Sequence, residues 1–163
     1  DGLGPVEFIP AGYEGIAHAT LKYANGQVMT EQPFLENNPD AKGIHFIGDK
    51  GWIKVARGYI ECSDPSLLKK SEQKIDEGEY EMSSPHMQNF INSVKSRKEP
   101  IAPVEVGCST NILCCILNIA YEFGRPVKWD PVTLKFVDDK KAETHRLYWY
   151  KYRNPYVLLY GNK

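Results

Sequence analysis

The side chains able to do chemistry in this sequence are few and scattered. His86 follows Ser84 and Pro85 at the start of a predicted helix, near the positive end of its dipole. As a general acid or base it needs a partner and a path to substrate, and spacing alone supplies neither. A half-buried histidine that helps the helix start fits the same residues. Arg57 precedes Gly58 at a predicted reversal, from which a guanidinium can reach an anionic or hydroxylated ligand, or simply a neighbouring carboxylate. Tyr152 belongs to an aromatic run with Tyr148, Trp149, Tyr150, Tyr156 and Tyr160. Rings with polar tips suit sugar faces, subunit interfaces and packing over a domain equally well. His86, Arg57 and Tyr152 are therefore the candidate substrate-binding residues, and no catalytic set is expected in this chain.

The remaining titratable groups form no constellation. His18 and His45 fall on predicted strands and His145 on a late polar helix, without a metal-ligand neighbour at useful spacing. Glu105 and Asp130 lie close to prolines and read as caps of local backbone. The four cysteines are Cys62, Cys108, Cys114 and Cys115, with no CxxC spacing. They read as reduced core thiols, which favours a cytoplasmic protein. No Gly-x-Gly-x-x-Gly follows a strand, so no dinucleotide is expected to bind here, and without CxxC spacing or a Cys/His cluster no metal is expected either.

The elements that must position these groups are well punctuated. Val6 to Ile9 reads as a strand stopped by Pro10 and Gly12. Asn25-Gly26 is a strong hairpin signal between Ile16–Ala24 and Val28–Phe34. Alternation continues through Ile44 and Phe46, across Gly48-Asp49-Lys50-Gly51, and through Ile53 and Val55 to Cys62. Asp64 can cap a short turn through Leu68, and residues 69–81 read as a charged loop with a strand near Tyr80. Met87, Phe90, Ile91 and Val94 then fall on one helical face, with Lys95, Arg97 and Lys98 at its negative end. A second, more apolar helix spans about Val104 to Phe123 and stops at Gly124. A short hairpin around Pro131, a small helix within Asp138–Leu147 and an extended tail from Tyr148 complete the chain. Phe90 and Ile116 are both expected in the core, facing the sheet.

The architecture these elements imply is α+β, a single domain over residues 1–163 with 148–163 as an aromatic tail. One largely antiparallel sheet carries helices on one face. The other face, with Trp52, His45 and Tyr23 as candidate members, is expected to serve oligomerisation, because a broad half-apolar face rarely stays bare.

The segments PHMQNFINSVKSRKEPIAPVEVG, NIAYEFGRPVKWDP and YRNPYVL, together with the upstream YANG and GDKGWIKVARG, resemble the C-terminal domain of the Gfo/Idh/MocA oxidoreductases. That resemblance implies a parent enzyme acting on a sugar or polyol, with NAD or NADP held by a Rossmann domain absent from this chain. It also implies a sheet face that packs on a partner subunit. The family's catalytic lysine sits in a Glu-Lys-Pro motif of the Rossmann domain, and its catalytic His or Asp on a helix preceding the segment that resembles DGLGPVEF. The chain begins at Asp1, after both, and so reads as a fragment. Where many relatives carry His-Arg after PVEVG, this sequence has Cys108 and Ser109.

Composition narrows the alternatives. A net charge of −1 argues against an electrostatic nucleic-acid binder, and no apolar run is expected to span a bilayer. Besides a substrate-binding and oligomerisation domain of an oxidoreductase, two readings remain open. One is a stand-alone carbohydrate- or protein-binding sheet domain. The other is a piece of an NAD-dependent glycosidase on the same scaffold.

Overall fold

The structure is a computed structural model that describes residues 4–38, 40–68 and 85–149. Its strands are β1 (Glu7–Ile9), β2 (Thr20–Lys22), β3 (Val28–Thr30), β4 (Ile44–Gly48), β5 (Gly51–Ala56), β6 (Tyr59–Cys62), β7 (Val127–Asp130) and β8 (Lys135–Phe136). The helices are α1 (Pro85–Ser96), α2 (Val104–Phe123) and α3 (Lys140–Glu143). The class is α+β, and every strand pairing among the described residues is antiparallel. Contacts gather into two compact units, Asp1–Glu31 with Val104–Lys163, and Gln32–Pro103. The strands form two sheets where a single one was expected.

In the first unit the order is β3-β2-β1-β7-β8. The hairpin forms at Asn25-Gly26: Gly26 takes φ 86°, and the Asn25 side chain accepts from the Gln27 N–H at 3.0 Å. Period-two alternation then sorts the side chains. Phe8, opposite Leu21 and Val127, points into the core, while Glu7 and Lys22, also opposite one another, form an ion pair of 2.8 Å on the outside. Onto Phe8, Val127 and Trp129 pack Ile116, Ile119 and Ala120 of α2, spaced i, i+3, i+4.

Only the second half of α2 is committed in this way. Its first turns are exposed, Val104 to 78%. At 20 residues α2 is long and apolar enough by length and composition to cross a bilayer, contrary to the expectation from sequence. It nonetheless lays Ile116, Ile119 and Ala120 against β1 and β7. The helix ends in a Schellman arrangement. Gly124, at φ 62°, donates to the Tyr121 carbonyl and Arg125 to that of Ala120. Tyr148, read from sequence as the start of an extended tail, instead packs edge-on against Trp129 and Phe136.

The second unit holds the sheet β4-β5-β6 and α1. Asp64 caps the 3-10 turn Pro65–Leu67 by accepting from the Ser66 N–H at 2.8 Å, as its position predicts. α1 runs over the expected residues, and the Asn89 side chain accepts from the Ile101 N–H at 2.9 Å, fixing the chain that follows. Its apolar stripe is uncovered. Phe90 is 57% exposed, and Met87, Ile91 and Val94 are exposed too, so the expectation that Phe90 is a core residue fails while Ile116, 2% exposed, meets it. Periodicity identifies an apolar face; it does not say what covers it. The strand expected near Tyr80 and the Ser84 cap lie outside the described residues.

Candidate functional site

The ladder of the second unit places its side chains without ambiguity. Ile44 stands opposite Val55, and Val55 opposite Ile60. Phe46 stands opposite Ile53, and Ile53 opposite Cys62. Residues directly opposite in an antiparallel ladder share a face, so these six form one uniformly apolar surface. It is not a core: Ile44, Phe46 and Ile60 are each 58–59% exposed.

The opposite face is mixed. His45, Lys54 and Glu61 lie in one row, Ile47 and Trp52 in the next. The rings of His45 and Trp52 meet edge-on at 5.4 Å, and the Lys54 ammonium sits 5.5 Å from the Trp52 ring centre. Tyr59 donates to Glu61, and that carboxylate holds the phenol above its ordinary pKa. His45 and Trp52 therefore do share a face, but the plainly apolar one is the other. Tyr23 lies past the end of β2, in the turn to β3.

Of the residues singled out from sequence, Arg57 lies exposed in the β5–β6 turn and His86 exposed in the first turn of α1. Among the described residues neither side chain has a hydrogen-bond or ion-pair partner, so no such bond joins them. Tyr152 lies outside the described residues. Groups of three or more His, Cys, Asp or Glu side chains able to hold a metal are absent among the described residues. The four cysteines form no disulfide, and none is a core residue as expected. Cys62 on β6 is only half-buried; Cys108 and Cys114 are exposed and Cys115 half-buried, because α2 leaves its first turns and outer side uncovered.

The polar groups that do cluster hold the fold of the first unit. His145 accepts the Leu147 N–H on Nδ1 at 3.2 Å, which leaves Nε2–H to donate to Glu122 at 2.9 Å. Arg146 pairs with the other oxygen of Glu122. Asp130 receives the Thr133 hydroxyl and the Val132 N–H, which together hold its carboxyl below the usual range. Sequence reading placed His145 on a late polar helix, which here ends at Glu143, and gave Asp130 a capping role. The second is what the structure shows, and the Glu122 contact was visible only once α2 and the chain after α3 were brought together.

A nicotinamide dinucleotide does not fit the described residues. Its pyrophosphate is held by a glycine-rich turn between a strand and the helix of a parallel βαβ unit. Here all strand pairs among the described residues are antiparallel, and α2 opens on Ile101-Ala102-Pro103.

These features define an α+β domain built on antiparallel sheets. A family model described as the C-terminal alpha/beta domain of the oxidoreductase family matches residues 16–158. The chain belongs to that family, the Gfo/Idh/MocA oxidoreductases, as their C-terminal domain. Comparison with curated proteins and with solved structures gives no match.

Proposed function

We propose that the chain is the substrate-wall and oligomerisation domain of an NAD(P)-dependent sugar or polyol oxidoreductase. In this reading a Rossmann domain of the parent protein holds the cofactor and the catalytic residues. Arg57, His86 and Tyr152 are the side chains available to a hydroxylated substrate, and the cytoplasm, where thiols stay reduced, is the compartment. Membership of an oxidoreductase family supports the chemistry. The observation that carries the interface is the face of Ile44, Phe46, Ile53, Val55, Ile60 and Cys62. Six apolar side chains in register, with Ile44, Phe46, Val55 and Ile60 exposed and Ile53 and Cys62 partly so, are what a protein partner covers.

Homo-oligomers are usually closed, and a sheet face meeting its own copy across a two-fold axis is a natural isologous contact. The expected partner is therefore a second copy, burying on the order of 1,500 Å² in total. Light scattering on the unmodified chain at tens of micromolar should give a dimer or a higher even oligomer. Phe46→Glu, which places a charge in the middle of that face, should give a monomer with unchanged helix content. A monomer mass for the unmodified chain refutes the interface.

A further inference from the structure

A cleft on the first unit lies outside that reading. Phe8 of β1, Trp129 of β7, Leu134 of the β7–β8 turn, and Ser109, Ile112 and Leu113 of α2 line it. Its volume is about 100 Å³. Small-molecule sites run to roughly 300–1,000 Å³ and place several polar groups for orientation. Ser109 brings the one polar side chain on this wall, and its hydroxyl already donates to the Val106 carbonyl at 3.1 Å. A sugar would find its hydroxyls unmatched here. The cleft is sized and lined for one apolar or aromatic side chain.

We infer that this side chain comes from the protein's own C-terminal segment, residues 150–163, docking intramolecularly. Three observations converge on that occupant. The first is where the described chain ends. The Tyr148 hydroxyl donates to the Leu134 carbonyl at 3.0 Å, so Trp149, the last described residue, adjoins a residue hydrogen-bonded to the rim of the cleft. The second is the sequence of the segment. Asn154-Pro155 is a turn-initiating pair, and Tyr156-Val157-Leu158-Leu159-Tyr160 follows it without a charge. The third is reach. At ~3.3 Å per residue, the seven steps from Trp149 to Tyr156 span roughly 20 Å when extended. That is enough to leave the rim, reverse at the proline and return.

Limited trypsin digestion of the full chain, read by mass spectrometry at Lys151 and Arg153, tests the inference. Cleavage follows the population of the undocked segment when opening is fast. Ser109→Arg fills the cleft from an exposed position on the helix and should raise the cleavage rate at Arg153 about tenfold, with the circular dichroism spectrum unchanged. Leu158→Asp, which alters the segment and leaves the cleft intact, should do the same. Equal rates for all three proteins overturn the inference. So does protection that falls on dilution, because it would place a second copy's segment in the cleft.

Discussion

Arg125 Nη1 and Asp139 Oδ2 stand 2.7 Å apart, joining the residue just past the stop of α2 to the residue that caps α3. The guanidinium also lies 5.0 Å from the Phe123 ring centre, and Asp139 accepts from the Ala142 N–H at 3.1 Å. One carboxylate thus ties the end of one helix to the start of the next. The Arg125 hydrogen bond is the largest influence holding Asp139 below the usual carboxylate range, against an opposing cost of burial. Its stabilising contribution is therefore complete above the unfolded value of about 4 and fades as pH falls through the lower folded value. Asp139→Ala should cost about 1–2 kcal/mol near neutral pH by urea denaturation, since a cap and a half-exposed ion pair go together. The gap between wild type and variant should narrow in acid. A gap that stays constant down to about pH 2 would show that the pair is not the cause.

Truncation should separate the two apolar helices. Ile116→Ala removes a side chain 2% exposed against Phe8 and Val127 and should cost ~2–5 kcal/mol in chemical denaturation. Phe90→Ala, at a position 57% exposed, should cost less than about 1 kcal/mol in the isolated chain. Equal losses at the two sites would mean that α1 is buried in solution.

Gly43 admits no larger residue without rearrangement. A Cβ there would stand 2.5 Å from the Phe34 ring and 2.7 Å from the Val55 carbonyl oxygen. Phe34 is itself packed edge-on against Tyr59, so it has little room to yield. Gly43→Ala should destabilise the second unit by about 1–3 kcal/mol, as overpacking generally does. Adding Phe34→Leu should recover part of the loss; a double variant no more stable than the single one would place the conflict at the backbone.

Calorimetry with NAD(H) and NADP(H) should detect no saturable binding to this chain at micromolar concentrations. The expectation rests on the antiparallel pairings and on the turn that precedes α2. A stoichiometric heat signal would locate a cofactor site that the described residues do not account for.

Local signals in this chain proved readable where the physics is local. Asn25-Gly26 makes its hairpin, Asp64 caps its turn, and α2 runs from Val104 to Phe123 and stops at Gly124, because each depends on a few consecutive residues. The separation into two sheets was not readable. It depends on β1 choosing β7 as neighbour, Phe8 against Val127, a pairing between distant segments that no local pattern encodes. The stripe of Phe90 and the faces of β4–β6 were legible as apolar, but not which of them would stay open. The candidate site fared accordingly. Arg57 and His86 sit at the turn and helix start predicted for them, and nothing in their spacing could say that they would not line the cleft of the first unit.

The pairing of β1 with β7 also orders events in time. On a ribosome β1 emerges before the described strands β2–β6, yet its neighbour on one side, β7, emerges only after them. Residues 32–103 complete their own compact unit in the interval. Until Val127 arrives, one edge of β1 is unpaired and the inward side of Phe8 lacks its cover. A nascent chain stalled before β7 should therefore carry a structured middle and an unfinished beginning, with that edge open to chaperones.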